Sequence, residues 1–158
     1  MPRLSRWLIR ASMLYFVLGF TMGGLILSAK AGVVDPRVWV WLLPHADILV
    51  AGWLIQLAMG MGYWILPRIR DAGRGVTPLA VAAMILLNAG LCMGAGSALL
   101  PYWFPDFTWT SLSFGAGVLI QMLGLIVYVI YAWARVLPTI TAADLKRQRS
   151  DSSAQSRR

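Results

Sequence analysis

The sequence predicts an all-α, polytopic membrane protein: a four-transmembrane-helix bundle with both termini in the cytoplasm. Three observations carry this. Hydrophobic residues make up 59% of the 158 positions and charged residues only 13%, against about 25% charged in an ordinary soluble domain. The mean hydropathy is +0.69, and the apolar residues are gathered into four blocks of bilayer-crossing length, which takes about 20 residues per helix. The cations lie at the ends of those blocks. Strands would have to close a barrel and would read as alternating segments of about ten residues, a pattern not seen here.

The first span is expected over residues 11–29, after a start that carries Arg3, Arg6 and Arg10. A basic start, an apolar run and Ala29-Lys30-Ala31 imitate a signal peptide. The run is longer than the usual signal core of about 7–15 residues, so a retained anchor is expected. The second span is expected over 45–66, between Pro44 and Pro67, and the third over 77–100, with Pro78 at its start and Pro101 after it. The fourth is expected over 112–136, closed by Pro138. Residues 1–138 then form one transmembrane domain. Residues 139–158, rich in Ser, Arg and Gln, read as a polar, largely disordered cytoplasmic tail.

Lysine and arginine set the expected orientation. Twelve of the fourteen lie in the N-terminal segment, in the loop after the second span (Arg68, Arg70, Arg74) or from Arg135 onward; the other two loops hold only Lys30 and Arg37. Cytoplasmic loops carry the excess of these residues, which places both termini inside, in a bacterial inner membrane. The same rule accounts for the net charge of +8. No polar domain is present to carry a nucleic-acid interface, and none is expected as a partner. The two outer loops, around Trp39-Val40-Trp41 and Tyr102-Trp103-Phe104, read as an interfacial aromatic belt. They could alternatively form a lid over a ligand of His45.

Chemistry-bearing groups are few. There is no paired-carboxylate site, no Ser/His/Asp set, no Cys/His cluster, no Walker loop and no dinucleotide fingerprint. The single Cys92 reads as a small packing residue. Gly19/Gly23 and Gly90/Gly94 have the small-xxx-small spacing of close helix packing, and Gln56, Asn88 and Gln121 are mid-span amides suited to interhelical hydrogen bonds. A small transporter or channel is disfavoured because no polar pathway or broken helix is visible. Asp47 is the one acid near a span's core.

What remains is the sole histidine, His45, at the head of a helical stripe with Leu49, Gly52, Gln56, Gly60 and Tyr63. Imidazole is the commonest protein ligand of metals and a common ligand of haem iron. Gly52 would leave room for a flat macrocycle against the helix, so that a leucine at Gly52 is expected to be more damaging than one at Gly117. The plain alternative is a histidine bonded to a carbonyl or to water. Should His45 ligate a metal, its other ring nitrogen is expected to meet a backbone carbonyl or a partner's side chain, since Asp47 points to another helical face.

The segment His45, Gly52-Trp53, Gly60, Gly62-Tyr63 and Leu66-Pro67-Arg68 resembles the second transmembrane helix of the haem-copper oxidase subunit I superfamily, to which the cytochrome c oxidases and nitric oxide reductases belong. In that family the helix starts at the outer face with a histidine on the low-spin haem. The resemblance implies b-type haem (haem b) on His45, with Gly52, Trp53, Gln56 and Tyr63 around it and a role in respiratory electron transfer or haem sensing. It covers roughly residues 15–68 and resembles only the family's first four transmembrane helices. A second haem histidine and the further histidines of the binuclear centre are missing, so this chain is not a complete oxidase on its own. The other axial ligand would have to come from a second copy, in a homo-oligomer, or from respiratory-complex subunits in the same lipid bilayer. The alternative is a non-catalytic structural or assembly subunit of a respiratory membrane complex without haem.

Overall fold

The computed structural model describes the backbone of residues 1–66, 77–104, 106 and 109–155, and the side chains of these apart from Thr77 and those after Val136. No strand occurs among the described residues, and four helices are long and apolar enough to cross a membrane: Arg3–Lys30, Pro36–Ile65, Pro78–Tyr102 and Thr110–Val136.

The first helix, α1 (Arg3–Lys30), starts eight residues before the apolar block at Ala11, because arginine sustains helix geometry as well as leucine does. The second span begins at Pro36 rather than at His45. Asp35 caps it, its carboxylate accepting from the Arg37 backbone N–H at 2.8 Å, with Pro36 in the first turn, where a missing N–H costs nothing. This span is a composite of four pieces: a 3₁₀ stretch Pro36–Trp41, a short α2 (Leu42–Asp47), a π-helical segment Ile48–Ile55 and α3 (Gln56–Ile65). His45 therefore lies nine residues inside the helix, roughly 16 Å along its axis at about 2.0 Å per residue in the 3₁₀ stretch and 1.5 Å in α2, and not at its mouth. Pro44 is buried within α2 instead of preceding it.

α4 (Thr77–Leu99) ends in a 3₁₀ turn, Leu100–Tyr102, and α5 (Thr110–Gln155) follows. Helical backbone in α5 runs through Pro138 to Gln155, over residues read from sequence as the polar tail. Pro67, the cations Arg68, Arg70 and Arg74, and the side chains of the tail cations lie outside the described residues.

Between lipid-facing helices there is no hydrophobic driving force, so close backbone approach and interhelical hydrogen bonds hold the bundle together. α4 and α5 form its most extensive contact, and glycine is the reason. A Cβ on Gly90 would stand 2.5 Å from the Gly117 carbonyl oxygen, and one on Gly117 would stand 2.5 Å from the Gly94 nitrogen. The second seam joins α1 to the second span in antiparallel register: Gly23 meets His45, Gly19 meets Leu49, Tyr15 meets Gly52, and Leu8 and Ile9 meet Gly60. Both glycine pairs named from their spacing are packing surfaces. At the end of the bundle opposite the arginines of α1, Trp41 lies 5.1 Å from Tyr102 and 6.1 Å from Trp103, ring centre to ring centre.

Candidate functional site

His45 reaches across the first seam. Its Nδ1 lies 2.8 Å from the Gly19 carbonyl oxygen. A carbonyl only accepts, so Nδ1 carries the proton and, in the neutral ring, Nε2 keeps its lone pair. The Cε1 edge of the ring rests on Gly23, where a Cβ would come within 2.8 Å. The glycine is thus the cradle of the imidazole. A histidine bonded to a carbonyl is the plain alternative read from the sequence, and Asp47 points elsewhere: its Oδ2 accepts from Gln121 Nε2 at 2.9 Å.

The stripe below His45 is continuous and faces inward, but protein fills it. A Cβ on Gly52 would be 2.8 Å from both Leu91 Cδ2 and Tyr15 Cγ. The room expected at Gly52 for a flat macrocycle is taken by these two side chains. Tyr15 is fixed there by its hydroxyl, which donates to Asn88 Oδ1 at 2.9 Å, while Asn88 Nδ2 donates to the Met84 carbonyl at 2.8 Å. Gly60 is pressed against Leu8 and Ile9, and its carbonyl accepts from Ser5 Oγ at 2.7 Å.

Trp53 leaves the stripe altogether. It packs with Phe16 at 4.7 Å and Phe20 at 6.1 Å between ring centres, an aromatic contact between α1 and the second span. Tyr63 closes the other end: its ring stacks on Tyr131 at 5.7 Å, and the Arg135 guanidinium lies over both rings, 5.5 Å from Tyr63 and 4.8 Å from Tyr131. Tyr128 ties α5 to α3 by donating to the Met59 carbonyl at 2.7 Å. The Arg135–tyrosine cluster escaped the sequence reading, although Tyr128, Tyr131 and Arg135 follow helical spacing on one face and could have suggested it.

Gln56 is the anomaly of the stripe. It is fully buried, and neither Oε1 nor Nε2 has a hydrogen-bond partner among the described residues. Burying an unmet polar group costs roughly 1–3 kcal/mol. It also sits where the π-helical segment gives way to α3, and π-helical turns recur at functional sites.

The described residues hold no group of three or more His, Cys, Asp or Glu placed to share a metal ion. They do not fit a haem within one chain: His45 offers a single axial nitrogen, and the face beneath it is filled by Leu49, Tyr15 and Leu91. Comparison with known protein families, curated proteins and solved structures gives no match to this chain.

Proposed function

We propose that this protein is a non-catalytic membrane subunit, structural or assembly-promoting, in a respiratory membrane complex of the inner membrane, with both termini cytoplasmic. One observation supports it above all. The histidine and glycines that would serve a cofactor are engaged in packing α1 against the second span, through His45 on Gly19 and Gly23 and through Tyr15 on Gly52. In this reading His45 is an interhelical tie. Large apolar side chains such as Leu14, Val17, Leu119, Ile126 and Trp133 cover the outer faces of α1 and α5, surfaces that lipid or neighbouring subunits would cover.

The test separates a tie from a ligand. An asparagine retains an N–H that can donate to the Gly19 carbonyl, whereas alanine does not. His45→Asn should keep most of the unfolding resistance of the wild type, and His45→Ala should lose about 1 kcal/mol, the scale of an interhelical hydrogen bond in a membrane. Equal losses in the two variants would reject the tie.

A second reading, b-type haem held by His45 at a boundary with another copy or a partner subunit, is favoured by one feature. Metal-ligating histidines commonly donate the other ring N–H to a carboxylate, backbone carbonyl or water, and Nδ1 on Gly19 is such an arrangement. Reduced-minus-oxidised spectra of protein purified from haem-replete cells decide it. Haem bands lost in both His45→Ala and His45→Asn would establish the ligand and displace the structural reading.

A further inference from the structure

We infer that Gln56 marks a built hydration site in the middle of the bundle, where an ordered water bridges the second span to α1. The amide is fully buried, and neither its oxygen nor its nitrogen has a partner among the described residues. The two groups make opposite demands. The oxygen needs a donor and the NH₂ needs acceptors. A cation would satisfy only the oxygen, and an anion only the nitrogen. A small neutral molecule that both donates and accepts meets both demands, and water is the smallest of these.

The surroundings supply the remaining bonds that a buried water requires, generally two to four. The antiparallel register that sets Tyr15 against Gly52 and Leu8 against Gly60 puts Ser12 midway, at the level of Gln56. Ser12 is itself fully buried and uses its proton on the Ile9 carbonyl at 2.8 Å, so its oxygen can still accept. The Tyr15–Asn88 pair lies one turn away along the seam. The π-helical segment ends immediately before Gln56. Polar groups of α1 and the second span therefore meet at one depth within otherwise apolar spans. The hydration site does not depend on whether His45 ties helices or ligates haem.

Radiolytic hydroxyl labelling in ¹⁸O-water tests this on the full-length protein in nanodiscs, because hydroxyl radicals form at bound waters and mark adjacent side chains. Met59, one turn below Gln56 and 2% exposed, should take up ¹⁸O in the wild type. The uptake should fall at least tenfold in Gln56→Leu, while exposed Met1 is labelled equally in both. A second measurement needs no variant: the Gln56 carboxamide protons should show a magnetisation-exchange cross-peak to water, whereas the Asn88 carboxamide, bonded to Met84, should not. An unlabelled Met59 in the wild type, labelling unchanged in Gln56→Leu, or a Gln56 amide without a water cross-peak would each overturn the hydration site.

Discussion

The α4–α5 seam allows a sharp test, with Gly117→Ala as the perturbation. The added Cβ would lie 2.5 Å from the Gly94 nitrogen, 2.6 Å from the Gly94 Cα and 2.7 Å from the Gly90 carbonyl oxygen. Comfortable contacts between heavy atoms begin near 3.5 Å, so the helices must separate by about 1 Å at this point. Every offending atom is backbone, and none can rotate away. Overpacking of this kind typically costs about 1–3 kcal/mol. We expect the upper part of that range, because parting the helices also loosens Gly90 and Gly124, which make similarly close approaches along the same seam. Gly115→Ala, two residues earlier on the same helix, is the control. Nothing lies within 4 Å of its Cβ position, and alanine there should gain about 0.5–1 kcal/mol from helix propensity. Steric-trapping or SDS unfolding in bicelles should therefore rank the control above the wild type and Gly117→Ala well below it. Equal stability of the two alanine variants would refute the close backbone contact. Gly52 is also tightly bounded: the Leu91 methyl can move, but Tyr15 Cγ and Cβ, at 2.8 and 3.0 Å from a Cβ there, belong to a side chain held by its bond to Asn88.

Four further outcomes are expected. Tyr15→Phe leaves Asn88 Oδ1 without its donor and should cost about 1 kcal/mol; adding Asn88→Leu should recover part of it, since removing both partners is cheaper than stranding one, and a double-mutant cycle measures the coupling. Gln121→Leu removes the amide on Asp47 and should destabilise by about 1–3 kcal/mol, whereas the same change with Asp47→Leu should cost less, as read by the same unfolding assay. Tyr63→Leu removes the stack on Tyr131 and one face of the Arg135 cage, for a loss of about 1–2 kcal/mol. Reporter fusions after Arg74 and at the C-terminus should read cytoplasm, and fusions before Pro44 and near Asp106 should read the opposite side; a C-terminal fusion reading outside would overturn the orientation taken from the arginines.

Several features were legible in the residues alone, for identifiable reasons. Span number follows from the cost of placing polar backbone or charge in hydrocarbon, which forces apolar blocks of fixed length. Glycine pairs four residues apart repeat on one helical face, so Gly19/Gly23 and Gly90/Gly94 could be read as packing surfaces, and both are. The inward stripe from His45 to Tyr63 follows from the helical period in the same way.

What the stripe faces is a different matter, because periodicity identifies a buried face without identifying what fills the opposite groove. Only the register of α1 against the second span puts the Gly19 carbonyl on His45 Nδ1 and Tyr15 on Gly52. The start of the second span at Pro36 follows from a cap whose signal, Asp35 before Pro36, was masked by aromatic residues that read equally well as an interfacial loop. The π-helical segment has no apolar period of its own, and the isolation of the Gln56 amide depends on which atoms the packed helices bring near it. Along the chain alone, the number of membrane-length apolar helices among the described residues and the faces that turn inward could be read, since each is a local balance of burial. Tertiary structure decided which groups meet on those faces, because the offset between two helices is set by all their side chains together.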